Sequence, residues 1–395
     1  MIKFASRMDN LKASAIRELL ALTAKPEIIS FAGGLPAPEL FPIEEMAKAG
    51  AEVMKGDTGR QALQYSSTEG YLPLRKQIVE RMAAKNNIHT TVDNIIVTSG
   101  SQQGLDFSGR IFLDKDDIVL IESPSYLGAL NAFKANEPKF IEVPTDEGGM
   151  IMEELEKILE KEDRVKMIYV IPDFQNPSSR TWSLERRQKF MEIINKYEIP
   201  TIEDNPYGEL RFEGEAQPAL KSLDTKGLVV FLGTFSKILA PGYRLGWICA
   251  EGEILDKYSF IAQAASLQAS TIGQMETSKF IEMFDLDAHV AKICDVYGKR
   301  RDLMYNTMLE TFPKEVKFAK PTGGLFLWVE LPEYLDAAEL AKECLAANVA
   351  YVPGEGFYPG GNVKNTFRMN YSCMPEDKIV EGIKRLAEVL KKHIK

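Results

Sequence analysis

The sequence predicts an α/β protein: a mostly parallel, seven-stranded sheet flanked by helices, with a smaller α+β domain after it. Three observations carry this expectation. Short β-rich runs alternate with helical patterns from residue 94 to about residue 250. Those runs are apolar almost throughout rather than at every second position, as in sheets covered on both faces. Beyond residue 310 strand-like and helix-like runs mix without that regular alternation.

Strands are predicted at Asn94–Thr98, Ile118–Glu122, Lys139–Val143, Met167–Ile171, Pro200–Glu203, Leu228–Gly233 and Gly246–Ala250. Helices Gln102–Leu113, Met152–Glu160 and Leu184–Tyr197 fall between them. A Gly- and Pro-rich arm, Phe31–Pro42, precedes this block, and a helical region from about Ile272 to Glu310 follows it. The last part of the chain reads as strands Gly324–Glu330 and Phe367–Tyr371 with helices Ala337–Ala347 and Pro375–Lys392. The expected division is an N-terminal helix and arm at 1–45, a large domain at 46–285 and a small domain at 286–395. The absence of low-complexity tracts or a linker suggests that these units pack tightly.

Composition narrows the function. Against 57 acidic residues stand 48 lysines and arginines, a net charge of −9. Non-specific nucleic-acid binding needs basic patches that displace phosphate counterions, so that class is disfavoured. The four cysteines are far apart and include no C-x-x-C pair, which fits a reducing cytoplasm rather than a disulfide framework or zinc site. Three scattered histidines leave little material for an imidazole metal site or a Ser-His-Asp triad. No apolar run approaches the ~20 residues that cross a bilayer, and the first ten residues lack a signal-peptide core.

Ligands of parallel sheets bind at the carboxyl ends of the strands, so the residues that follow each strand carry the chemistry. After the first comes Thr98–Gly104, where Ser101 and Gln102 open a helix whose free N–H groups can face an anion; the bland reading is a plain N-cap. After the fourth comes Asn176-Pro177, which could be only a turn. After the fifth come Asp204 and Tyr207, either a pair facing a crevice or a turn residue beside a packed ring. The sixth is followed by Gly233–Arg244, with Thr234, Ser236, Lys237 and Arg244. A lysine among apolar neighbours is costly to bury as an ammonium and is thereby tuned toward the free amine that carbonyl chemistry requires. Hydroxyls and a guanidinium around it suit a phosphate. The alternative is a surface loop with a solvated lysine.

Taken together these segments resemble the fold-type-I pyridoxal-5′-phosphate (PLP) aminotransferases of class I/II. They are most similar to the multisubstrate 2-aminoadipate and aromatic subgroup. The likeness runs from Ala15–Leu20 through the arm and Gln64–Tyr71 to Asn365–Tyr371. It implies that Lys237 carries PLP as a Schiff base and then shuttles the proton. Asp204 would pair with the pyridine nitrogen, and Tyr207 and Asn176 with the phenolic oxygen. Tyr126 would stack on the ring. Ser101, Gln102, Thr234, Ser236 and Arg244 would hold the phosphate, with Tyr65 reaching in from the other subunit of a homodimer. Arg368 would clamp the substrate carboxylate, Gly34 would let the arm approach closely, and Arg17 would meet acidic side chains. Ala240 and Gly208 depart from the family's usual residues, which leaves substrate preference open.

The implied activity is a ping-pong transfer of an amino group from 2-aminoadipate, aromatic or branched-chain amino acids to an acceptor such as 2-oxoglutarate. One alternative is a PLP-dependent β-lyase on the same scaffold. Another is an aminotransferase-like ligand sensor in a transcription regulator; the pattern's start within the first twenty residues argues against a preceding DNA-binding module.

Overall fold

The computed structural model describes residues 2–10, 25 and 27–394. Its centre is a seven-stranded sheet: β1 (Ile95–Thr98), β2 (Ile118–Glu122), β3 (Lys139–Val143), β4 (Val165–Val170), β5 (Thr201–Asp204), β6 (Val229–Thr234) and β7 (Gly246–Cys249). The spatial order is β1-β7-β6-β5-β4-β2-β3. Every neighbouring pair is parallel except those made by β7, which runs antiparallel to both β1 and β6. The reversal has a local cause: the 235–245 link is shorter than the roughly dozen residues that a parallel crossover needs.

Alternation along the strands sends side chains into two apolar layers. Val119, Ile121, Met167, Tyr169 and Ile202 pack beneath helices α1 (Ser101–Phe112) and α2 (Leu127–Lys134). Ile118, Leu120, Ile168 and Val170 pack against α3 (Met152–Leu159) and α4 (Leu184–Tyr197) on the other face. The buried strands thus read as continuous apolar runs because both faces are covered. Edge strand β3 is the half-exposed exception.

The predicted helical region Ile272–Glu310 is two helices, α5 (Thr271–Met283) and α6 (Leu286–Thr311). The break falls where the Asp285 carboxylate accepts the Ala288 N–H at 2.9 Å and starts a new helix. A four-stranded antiparallel sheet follows, formed by β8 (Lys317–Phe318), β9 (Phe326–Glu330), β10 (Val352–Pro353) and β11 (Thr366–Asn370) in the order β8-β9-β11-β10. Helices α7 (Ala337–Ala346) and α8 (Glu376–His393) lie beside it.

The arm is tied to this smaller sheet. Ile29 and Ser30 pair in parallel with Val349 and Ala350, and the Phe31 carbonyl accepts the Asn370 N–H at 2.8 Å. Phe31 and Ala32 are fully buried. The carbonyls of Ala32 and Gly34 are thereby brought over the carboxyl ends of the large sheet.

Candidate active site

At those carboxyl ends lies a cavity of about 760 Å³. The loops after β1, β2, β4, β5 and β6 all open into it, together with the arm and residues of β9 and β11. It collects Gly34, Ser101, Gln102, Tyr126, Asn176, Asp204, Tyr207, Thr234, Ser236, Lys237, Arg244 and Arg368. Tyr65 is 79% exposed and does not line it. Arg17 lies outside the described residues.

Asp204 ends β5 with its side chain on the α1/α2 side, where Tyr169 donates to Oδ2 at 3.0 Å. Its other oxygen, Oδ1, is buried without a hydrogen-bond partner among the described residues. Burial is the main cause that raises this carboxyl to about 7, with the Tyr169 hydroxyl pulling the other way. Such an atom has a use only if a donor arrives to meet it.

Lys237 donates to the Gly34 carbonyl at 2.9 Å. Its side chain touches the cavity yet is ringed by protein, and desolvation lowers its ammonium to about 8, helped by the nearby Arg368 and Arg244 guanidiniums. Asn176 Nδ2 donates to the Tyr207 hydroxyl at 3.2 Å, and Asn176 Oδ1 accepts from Arg368 Nη1 at 2.7 Å. One amide thus links the tyrosine to the guanidinium. The peptide bonds Asn176-Pro177 and Ser123-Pro124 are both cis.

The anion end is built from turns. Helix α1 begins after Gly100 with no side-chain cap; the Gln103 N–H bonds the Gly100 carbonyl, and among the described residues the Ser101 and Gln102 N–H groups have no hydrogen-bond partner. Gly100 has φ 79°, and a Cβ there would stand 2.7 Å from Arg244 Nη2. Both its conformation and the guanidinium's approach therefore call for glycine. Arg244 is itself left-handed at φ 51° and reaches Ser236 Oγ at 3.5 Å. Thr234 lines the cavity, but its hydroxyl donates to the Leu245 carbonyl and accepts the Ser236 N–H, bonds that fold the Lys237 turn.

Several contributors are not evident from the residues that follow strands. Tyr169 sits inside β4 and looks like core. Phe326, within β9, lines the cavity with its ring 4.0 Å from the Arg368 guanidinium carbon. The Ala32 carbonyl accepts from Arg368 Nη2 at 3.1 Å. Tertiary pairing creates each of these contacts.

These residues fit PLP: an unpaired buried carboxylate oxygen for a ring N–H, a lysine tuned toward the free amine, a phenol–amide pair, and an uncapped helix start beside Arg244 for a phosphate. Sheet and site together define an enzyme built around that cofactor. Residues 27–386 match the family model described as aminotransferase class I and II; the chain belongs to this family and is a PLP-dependent aminotransferase. It is 46% identical to aromatic-amino-acid aminotransferase 1 of Thermococcus litoralis, over 99% of this chain and 95% of that one. Among solved structures it is similar to the kynurenine aminotransferase of Pyrococcus horikoshii, with TM-score 0.95 and 41% identity over 99% of this chain and 98% of that one. It is also similar to the α-aminoadipate aminotransferase of Thermus thermophilus, solved with N-(5′-phosphopyridoxyl)-L-leucine. There the TM-score is 0.92 and identity 38% over 98% of this chain and 97% of that one. Among the described residues no helix is long and apolar enough to cross a membrane.

Proposed function

We propose that this enzyme transfers the amino group of aromatic, branched-chain or 2-aminoadipate donors to a 2-oxo acid such as 2-oxoglutarate, in two half-reactions at one site. The observation that carries this is the convergence of Asp204, Lys237, Arg244 and Arg368 on one cavity. Bound PLP supplies an electron sink for the pair left when the substrate Cα–H bond breaks.

The chain's own residues do the rest. Arg368 grips the α-carboxylate with its planar fork, a geometry lysine lacks. Lys237 Nζ, already poised near neutrality, takes the Cα proton. Asp204 Oδ1 would accept the ring N–H, while Asn176 and Tyr207 would meet the phenolic oxygen and Tyr126 would cover the ring face. Ser101, Gln102, Ser236 and Arg244 hold the phosphate, with Thr234 bracing their turn. Gly34, within the arm, lets it approach the ligand closely.

The reading extends to a homodimer in the cytoplasm, with Tyr65 serving the neighbouring subunit's phosphate. Its exposure away from its own cavity supports that role, and four free cysteines fit the compartment. The reading keeps the division at 1–45, 46–285 and 286–395; that the two larger sheets are drawn from separate stretches of the chain supports the split into a large and a small domain. Among the described residues the cations lining the cavity are Lys237, Arg244 and Arg368, so an acidic side chain needs a further cation, assigned to Arg17. Arg17→Gln should weaken acidic donors and spare leucine; equal loss on both removes that assignment.

The deciding experiment follows the visible band of the PLP-loaded protein while single amino acids are added. Bleaching that reverses with 2-oxoglutarate is expected. A band that persists, with pyruvate and ammonia released from a β-substituted amino acid, would establish a lyase instead.

A further inference from the structure

Arg368 is a buried cation held in an unusual way. It is 3% exposed, and its two hydrogen bonds go to neutral oxygens, Asn176 Oδ1 and the Ala32 carbonyl. The groups that act on it electrostatically are the phenols of Tyr207 and Tyr126, and no carboxylate among the described residues pairs with it. It lies over two rings instead: its guanidinium carbon is 4.0 Å from the Phe326 ring centre and 5.1 Å from that of Phe357. Both rings are 1% exposed. Its Nε atom is buried and has no hydrogen-bond partner among the described residues.

Each ring is itself fixed. Phe326 and Arg368 lie on paired strands β9 and β11, diagonal to one another, since Trp328 is the register partner of Arg368 and Phe326 that of Asn370. Phe326 also meets Tyr207 edge-on at 5.8 Å, and a Cβ at Gly34 would stand 3.1 Å from it. Phe357 packs edge-on against Trp328 at 5.7 Å, and its carbonyl accepts the Ser125 N–H at 2.9 Å, one residue before Tyr126.

We propose that Phe326, assisted by Phe357, is a positioning residue that replaces a counter-ion for Arg368. The ring faces keep the guanidinium charged and oriented while leaving its carboxylate-binding capacity open. An acidic partner would hold the charge equally well but would compete with the substrate for the same fork. Aromatic faces attract a cation without offering it an acceptor oxygen, so the incoming carboxylate displaces no salt bridge. The proposal rests on Arg368 as the carboxylate clamp.

The test measures binding rather than turnover: titration of the PLP-loaded enzyme's visible band with 3-phenylpropionate, a carboxylate that has no amino group to react. Phenylalanines bearing one, two and three fluorines at position 326 keep the shape and drain the ring face. Stepwise weakening is expected, reaching about thirty-fold, the equivalent of ~2 kcal/mol for a desolvated cation–π contact. Phe326→Leu should weaken binding similarly and raise KM for donors and acceptors alike with kcat held. Phe326→Tyr should restore binding, and Phe357→Leu should cost less because its ring is farther away. A flat fluorine series, with Arg368→Ala still abolishing binding, overturns the aromatic support and leaves the clamp standing. Unchanged binding in Arg368→Ala overturns the clamp and the aromatic support together.

Discussion

Glu203 and Asp204 are neighbours on one strand, both fully buried, and burial raises both carboxyls to about 7. They nonetheless do different things. Strand alternation points Glu203 to the α3/α4 face, where Oε1 and Oε2 accept the Leu220 and Lys221 N–H groups, each at 2.8 Å. Asp204 points the opposite way and keeps one oxygen unpaired. Glu122 repeats the first pattern at the end of β2, accepting from Trp182 Nε1 at 3.0 Å and the Ile171 N–H at 3.1 Å. The lesson is that burial and a raised pKa do not by themselves mark a functional carboxylate. The mark is an acceptor with no donor, beside a cavity that holds cations.

The sharpest way to break this contrast is Asp204→Asn. It should lower kcat/KM for amino transfer by about a thousand-fold, ~4 kcal/mol of transition-state stabilisation, while the melting temperature barely moves. Retained activity would place Asp204 with the structural glutamates.

The mirror-image change is Glu203→Gln, which sets an amide N–H₂ against a buried backbone N–H. Denaturant unfolding should show a loss of roughly 1–3 kcal/mol, the cost of an unsatisfied buried donor. Steady-state kinetics of the folded fraction should be unchanged, and a selective kinetic defect would dissolve the distinction.

The pH dependence sharpens it further. Because the folded value of Glu203 lies above the ordinary carboxylate range, the folded state holds that proton more tightly than the unfolded chain. Its contribution is greatest below about pH 4 and declines as pH rises toward 7, then stays level. The stability gap between wild type and Glu203→Gln should therefore narrow between about pH 4 and 7, by up to roughly 3 kcal/mol. A gap constant across that window would mean that the carboxyl is not held protonated.

The smallest effect is expected from Tyr169→Phe, which removes the hydroxyl on Asp204 Oδ2. A loss of about 1 kcal/mol, near five-fold in kcat/KM, should come with an upward shift of the acidic limb of the pH–rate profile.

Much of this architecture was legible in the chain. Doubly covered strands show as unbroken apolar runs, and Ile118–Glu122, Lys139–Val143 and Leu184–Tyr197 form with the boundaries the sequence predicts. Residues that follow strands were legible for the same reason: a parallel sheet delivers them all to one end. Tyr169 and Phe326 were not, because a residue within a strand looks like core until its neighbours are known. The neighbouring Glu203 and Asp204 show the limit most clearly, since nothing local says which face is lined with donors.

The sequence by itself determined the alternation of strand and helix, the lysine turn with its guanidinium, and the acidic residues at strand ends, because these rest on short-range periodicity and residue chemistry. Only the tertiary structure decided which buried carboxylate was left unpaired and that the Arg368 guanidinium lies over the rings of Phe326 and Phe357. Those outcomes depend on hydrogen-bond partners and ring faces brought from distant parts of the chain, whose meeting no local pattern encodes.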